Sequence, residues 1–458
     1  MNGPTPAPSL RFGLRTEEIK RRHILVKALL VGLAAGLLAS AFRLSLEWSE
    51  KHRIAMLGRL PGVGGLAVAL GLGMVGGGLG VWMVRRFAPE AAGSGIPHLK
   101  SVMLGESTLY WRRILPVKFI SGLASIAGGF ALGREGPTIQ MGGSCGLMIS
   151  DLWRVKRGEG ERRALISAGS GAGLAAAFNA PLAGMIFVLE ELQVNLTPVI
   201  FVAAFLASVT ADVVCRVLVG GTPEFSLLRG APSPTLSVLP GALLLGLLAG
   251  LGGVIFNRAL LATVSLYDRL RRWPAFWTGA ATGAVIGLTG WIAPSLVGTG
   301  GPIVARALSG GLAAGIVPVF LVARFGLTMV SYGSGPAGGI FLPTFVLGAL
   351  GGLSFGSLAH AAAPGWFPEP EVFAVLGMGA LFTAVVRAPL TGLVMMIELT
   401  GVYDFMLPLL ASCLVAYGVA EAFGTPPIYE ALRLRNRHNY PPYAPPAAAP
   451  PAEAGRGE

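Results

Sequence analysis

Gly133-Arg134-Glu135-Gly136-Pro137 sets two charged side chains in the middle of apolar sequence, between Phe119–Ala127 and Ile139–Gly143. A charge at bilayer depth costs roughly 2.5–3.5 kcal/mol on insertion scales, so it usually marks an ion or proton path. The glycines free the backbone, and Pro137 suits the first turn of a new helix, where its missing N–H is not needed. A helix that starts inside a membrane aims bare N–H groups and the positive end of its dipole at whatever lies before it. The stretch therefore reads as an anion site with an acid placed in it. The plainer reading is a glycine-rich bend whose Arg134 and Glu135 only pair.

The surroundings favour a membrane. The chain has 458 residues, of which 53% are hydrophobic and only 13% charged, with 67 glycines and 33 prolines. A soluble protein carries about a quarter charged residues. Uncharged runs recur from residue 24 to residue 423, many near the ~20 residues that span a bilayer. Several others are too short to span and are bounded by Gly and Pro. Such broken helices persist only where they are buried in protein or line a cavity, which points to a transporter or channel.

The net charge of +12 sits at the ends of apolar runs, in Arg11, Arg15, Lys20, Arg21, Arg22 and Lys27 before the first and Arg433, Arg435 and Arg437 after the last. That placement argues against nucleic-acid binding and, by the positive-inside rule, makes both termini cytoplasmic. Cys145, Cys215 and Cys413 are odd in number and far apart, so no disulfide framework is expected. The five histidines lack ligand spacing, so neither metal nor cofactor is expected. The N-terminus lacks the short apolar core and cleavage site of a signal peptide.

The predicted organisation is a cytoplasmic segment 1–23, a membrane domain 24–436 and a disordered Pro/Ala-rich tail 437–458. Residues 1–14 should be loose, 15–23 a short surface helix, and 24–46 the first span. Residues 62–84, 197–219, 236–265, 274–292, 312–332, 341–362, 371–401 and 405–423 read as further apolar helices. Residues 137–150 and 164–178 read as short ones. The chain also repeats. Asn179-Ala-Pro-Leu-Ala-Gly184 returns as Arg387-Ala-Pro-Leu-Thr-Gly392, an offset of 208 that also carries Glu190 onto Glu398. A nearby offset of 206 carries Gly133–Pro137 onto Gly339-Ile-Phe-Leu-Pro343, and Gly142 onto Gly348. Two such matches in one order indicate duplicated halves, about 24–220 and 236–423, with substrate at their interface.

Four places share a Gly or small polar residue followed closely by a helix-opening Pro: Ser94-Gly-Ile-Pro97, Gly133–Pro137, Gly339–Pro343 and Thr425-Pro-Pro-Ile-Tyr429. Converging helix N-termini with the hydroxyls of Ser94 and Tyr429 would hold an anion without a full positive charge, so that it can leave.

Gly93-Ser-Gly-Ile-Pro97, Gly133-Arg-Glu-Gly-Pro137, Gly339-Ile-Phe-Leu-Pro343 and a tyrosine near the end of the hydrophobic region together resemble the signature set of the CLC chloride channel and transporter family, over roughly residues 24–435. The resemblance implies an all-α membrane fold of two inverted-topology repeats of broken and tilted helices, assembled as a homodimer with one pore per subunit in the bacterial inner membrane. It implies that chloride is bound by the Ser94 and Tyr429 hydroxyls and the amides of Ile340 and Phe341, with amides around Arg134 and Gly136 serving an outer site. Glu135 would be the external gate and proton acceptor. Exchangers similar to the bacterial ones carry an inner glutamate, and here the match falls on Glu191 as the internal proton-transfer residue. Proton-coupled chloride antiport is therefore expected, with a passive chloride channel of the same fold as the alternative. Ser94 goes with chloride preference, where nitrate-transporting members place a proline.

Two departures stand out. His98 and Lys100 replace the acidic residues common after the first motif; a cation near the inner mouth could help recruit anions or perturb proton entry, and the plainer reading is solvated loop charge. Leu342 stands where alanine is common. The rival from another class is an intramembrane hydrolase, because Gly142-Gly-Ser-Cys-Gly146 fits G-x-S-x-G. That motif needs a strand–turn–helix setting and a histidine partner, and here it lies in an apolar helical run, so no enzyme is expected.

Overall fold

The computed structural model describes residues 9–60, 62–155, 160–192, 197–225, 236–367 and 369–442; residues 1–8 and 443–458, expected to be loose, lie outside them. Among the described residues the chain forms seventeen α-helices and no strand. They are α1 Ser9–Arg59, α2 Gly62–Phe87, α3 Ile96–Met103, α4 Trp111–Ala127, α5 Glu135–Leu152, α6 Gly160–Phe178, α7 Pro181–Phe187, α8 Pro198–Leu218 and α9 Leu239–Arg269. The series continues with α10 Ala275–Ile292, α11 Gly301–Leu308, α12 Val317–Gly333, α13 Phe341–Ala362, α14 Pro370–Val386, α15 Pro389–Thr400, α16 Met406–Ala422 and α17 Ile428–Asn436. Five helices are long and apolar enough to cross a membrane, and others are apolar but only 12–17 residues long.

Three expectations about boundaries are corrected. The surface helix and first span are one continuous helix, α1, because no glycine or proline interrupts residues 15–31. The run 371–401 is two helices, broken where Arg387 takes a left-handed φ of 70°. Ala388 precedes Pro389 and is barred from helical geometry, as Ala180 is before Pro181. The ordered chain also runs past residue 436. Arg437–Asn439 make a 3₁₀ turn, and the Pro441 carbonyl accepts from the Ser107 hydroxyl at 2.8 Å and the Thr108 amide at 3.2 Å.

The repeat is visible in the backbone and extends beyond the matches read from sequence. Asn179 and Arg387, at the 208 offset, are two of the three non-glycine residues with positive φ among those described. Gly133 and Gly339, at the 206 offset, exchange both backbone hydrogen bonds at 2.8 Å, so a local two-fold axis passes between them. The packing of α2 on α10 obeys the same axis. A Cβ on Gly73 would run into the Gly283 carbonyl, and one on Gly77 into that of Gly279. Only glycine allows such close backbone approach. The pair α5/α6 likewise repeats as α13/α14, with Gly142 against the Gly169 carbonyl and Gly348 against that of Gly377.

A third correspondence escaped the sequence reading: Gly93-Ser94-Gly95-Ile96-Pro97 recurs as Gly298-Thr299-Gly300-Gly301-Pro302. All four flanking glycines have positive φ, 60° and 79° in the first copy and 79° and 89° in the second. A buried cation fixes each copy. Lys118 donates to the carbonyls of Ala91 and Gly93 at 2.9 and 2.7 Å. Arg324, one repeat further on, donates to those of Leu296 and Gly298 at 2.8 and 2.6 Å. Helix α17 follows the last helix of the second copy.

Candidate functional site

The site forms where α3, α5, α13 and α17 begin. Glu135 and Gly136 open α5 and Phe341 and Leu342 open α13, each pair followed by a proline with no N–H to satisfy. The amides of Arg134, Gly136, Ile340 and Phe341 donate to no backbone carbonyl among the described residues. They are the orphan donors that every helix start leaves over. Gly136 brings α5 against α3, since a Cβ there would lie 2.7 Å from both Cα and Cβ of Ser94. Gly339 closes the other side, where a Cβ would lie 3.0 Å from the Gly136 nitrogen. An aromatic cluster of Phe178, Phe187, Phe345 and Phe382 packs around Phe341, with ring centroids 4.5–5.9 Å from it. The backbone of Phe341 is thereby held in apolar surroundings, where an amide dipole acts on an anion with little screening.

Ser94 and Tyr429 are fully buried. The Ser94 hydroxyl accepts a long bond from the Ile96 amide, at 3.4 Å, and the Tyr429 hydroxyl has no hydrogen-bond partner among the described residues. Tyr429, in the first turn of α17, stands within electrostatic reach of both Glu135 and Glu191. Lys118 sets the position of Ser94 through the Gly93 carbonyl. Tyr332 presses its hydroxyl against Gly93, where a Cβ would meet it at 2.6 Å. Behind these two residues a cavity of about 120 Å³ carries Arg85 and Arg271 on its lining. Sequence reasoning passed over Lys118 and Tyr332. A lone lysine in the apolar run 114–127 carries the same signal as Arg134 and Glu135.

The Glu135 carboxylate is wholly buried and makes no hydrogen bond of standard geometry; the amides that act on it are its own and that of Leu342. Burying an acid with so few partners is costly. Arg134 does not neutralise it closely, at 3.8 Å. Its guanidinium is instead engaged by Glu224 at 2.9 Å, which also binds Arg43 at 2.8 Å, while Arg43 binds Glu47 at 2.9 Å. The plain reading in which Arg134 and Glu135 merely pair is thus not what the geometry gives. Glu224 lies in the loop after α8, and nothing in its sequence surroundings announces it.

After α7 the chain makes one π turn, Val188–Leu192, which carries Glu190 and Glu191. Such single wide turns often occur at functional positions. The two acids part company there. Glu190 accepts from the amides of Leu390 and Thr391 at the start of α15, at 3.1 and 2.8 Å. Glu398 returns the contact, accepting from the amides of Leu182 and Ala183 at the start of α7, at 3.0 and 2.8 Å. Glu191 is free of that exchange, is 8% exposed, and pairs with Lys100 at 2.8 Å. The expectation of solvated loop charges at His98 and Lys100 is corrected. Both lie on α3, and His98 is buried between the Ser107 hydroxyl and the Gln140 amide, each at 3.1 Å.

The structure therefore sets Gly136 against Ser94 and Gly339 against Gly136, which brings the starts of α5 and α13 together beside Ser94, while Tyr429 opens α17 within electrostatic reach of Glu135 and Glu191. Comparison with known proteins identifies the fold and the family. The family described as voltage gated chloride channel matches residues 72–421. The H(+)/Cl(-) exchange transporter ClcA of Vibrio cholerae serotype O1 is 40% identical over 431 residues, 91% of this chain and 90% of that protein. The transporter of the same name from Citrobacter koseri is 37% identical, over 90% of this chain and 88% of that one. Among solved structures, a slow cyanobacterial Cl-/H+ antiporter superposes with a TM-score of 0.86 at 36% identity, covering 91% of this chain and 98% of the other. The all-helical fold of two inverted-topology repeats expected from the motifs is the fold of these proteins. The chain belongs to the CLC family of voltage gated chloride channels and transporters.

Proposed function

We propose that the protein is a membrane antiporter that exchanges chloride for protons. The observation that carries this reading is a set of helix-start amides without backbone partners among the described residues, gathered beside Ser94, together with two separate buried carboxylates, Glu135 and Glu191, with Tyr429 in electrostatic reach of both. Likeness to proteins named for H+/Cl- exchange supports it. Chloride sits between the Ser94 and Tyr429 hydroxyls and the Ile340 and Phe341 amides, which bind it through dipoles and release it readily. The Arg134 and Gly136 amides form an outer position for which the Glu135 carboxylate competes. Protonation lets Glu135 leave, a local charge switch that opens the outer route. Glu191 takes protons from the cytoplasm and passes them over bridging water past Tyr429 to Glu135. No covalent chemistry is involved.

The protein works as a homodimer in the bacterial inner membrane, each subunit with its own lipid-facing helices and pore, and with both termini cytoplasmic. The membrane domain is residues 24–436, extended to Pro442. The test is flux from purified protein in liposomes, following chloride and external pH together. A chloride gradient alone should drive protons uphill, and Glu191→Gln should abolish that movement while chloride still flows. Chloride flux in the wild type without proton movement would make this a passive channel.

A further inference from the structure

Glu191 has one close cation, and it comes from α3. Lys100 Nζ donates to Glu191 Oε1 at 2.8 Å, with the lysine side chain 18% and the glutamate side chain 6% exposed. Every other acid near this pair is already committed. Glu190, the preceding residue, is bound to the Leu390 and Thr391 amides and to the Thr391 hydroxyl at 2.7 Å. Glu430 on α17 is held by two bonds from Arg433, at 3.0 and 2.6 Å, and Arg433 also binds Glu106. Glu190 and Glu430 are the remaining charges that act on Glu191, and both oppose its ionisation. Burial opposes the charge on Glu191 most strongly, Lys100 is the cation that works against it, and no second acid among the described residues makes an ion pair with the Lys100 ammonium.

We propose that Lys100 is a positioning residue for proton entry, whose ion pair with Glu191 sets the pH at which that carboxylate accepts a proton and so the pH at which exchange begins. The proposal rests on the reading of Glu191 as the internal proton acceptor. The proton balance is simple. Glu191 gains a proton from cytoplasmic water, the ion pair becomes a neutral acid beside Lys100, and the proton leaves toward Glu135 as the pair re-forms. An opposite charge within hydrogen-bond reach commonly shifts a carboxylate by about 1–3 units toward the ionised form. Lys100 therefore delays proton uptake until the pH has fallen.

The experiment is coupled flux from liposomes with equal pH on both faces, scanned from acid to alkaline, for wild type, Lys100→Gln, Lys100→Arg and Glu191→Gln. Lys100→Gln should move the half-maximal pH of uphill proton transport upward by about one unit or more. Lys100→Arg, which keeps the charge, should stay close to wild type. In a Glu135→Gln background, adding Lys100→Gln should leave chloride flux the same, which also reports intact folding. The proposal is overturned if Lys100→Gln superimposes on wild type, or if Lys100→Arg moves as far as Lys100→Gln. If instead Glu191→Gln still couples protons, the proton-acceptor reading itself has failed, and that result is distinct from both.

Discussion

The two halves of the molecule share a backbone and differ in where they carry acids. At the helix start that faces the anion cleft, Gly133-Arg-Glu-Gly-Pro137 in the first half has Gly339-Ile-Phe-Leu-Pro343 as its counterpart, and the two exchange hydrogen bonds through Gly133 and Gly339. Glu135 thus corresponds to Phe341. At the end of the Ala-Pro-Leu helices, Glu190 corresponds to Glu398, and these two cap each other's helices. The next position is Glu191 in the first half and the buried Leu399 in the second. The acid that the halves share is therefore a structural clamp. At these positions the two acids that the second half lacks, Glu135 and Glu191, are the two assigned to protons. Both halves supply amides and helix ends, and the titratable groups at these two positions stand in the first half alone.

That contrast can be broken most forcefully by making the halves alike. Glu191→Leu copies its counterpart and should abolish uphill proton transport while leaving measurable chloride flux; retained coupling would remove Glu191 from the proton route. Glu135→Ala should also end coupling, and it should free the outer amides for a second chloride, raising the bound stoichiometry in equilibrium binding. An unchanged stoichiometry would mean that the carboxylate does not compete with the anion. Gly136→Ala comes next. Its methyl would lie 2.7 Å from Ser94, an overlap of the kind that costs about 1–3 kcal/mol, or about fivefold to a hundredfold in chloride Kd where that cost falls on the bound state.

The buried cations sharpen the contrast further. Lys118→Met strips two carbonyl partners from the segment that holds Ser94, and charged hydrogen bonds are worth about 1.5–3 kcal/mol each. Arg324→Met does the same in the second half, where the residue corresponding to Ser94 is Thr299. Both should lower the unfolding temperature in detergent by similar amounts. Only Lys118→Met should weaken chloride binding, by at least severalfold. Equal loss of binding in both variants would show that Ser94 is not the feature that separates the copies.

Much of this is legible in the sequence because the motifs are local. Gly133–Pro137 and Gly339–Pro343 each announce a helix start within five residues, and the Asn179/Arg387 match announces the duplication. What stays hidden depends on the third dimension. The Gly298–Pro302 copy has Gly301 and Thr299 in place of Ile96 and Ser94, and its kinship shows in matching positive φ values and in the buried cations that hold the two copies alike. Glu224 reaches Arg134 across 90 residues of sequence, so no spacing predicts it. His98 and Lys100 read as loop charges only if a loop follows Pro97. Instead Gly95 in its left-handed conformation starts α3 there and turns both side chains inward.

The reciprocal clamp carries the smallest effect and the cleanest separation of structure from function. Glu190 and Glu398 each place a carboxylate on two amides at a helix N-terminus, where both hydrogen bonding and the helix dipole favour it. Capping of this kind is worth about 0.5–2 kcal/mol, so Glu398→Ala should lower the unfolding temperature by a few degrees. Glu190→Ala should cost slightly more, since it also strands the Thr391 hydroxyl. Because α7 and α15 hold each other, opening one cap loosens the helix that carries the other acid, and the double variant should lose less than the two singles together. Coupled transport per folded molecule should persist in Glu398→Ala. If that variant loses uphill proton movement while its unfolding temperature stays unchanged, the second half's acid belongs to the proton route, and the division between shared clamp and unshared titratable groups no longer holds.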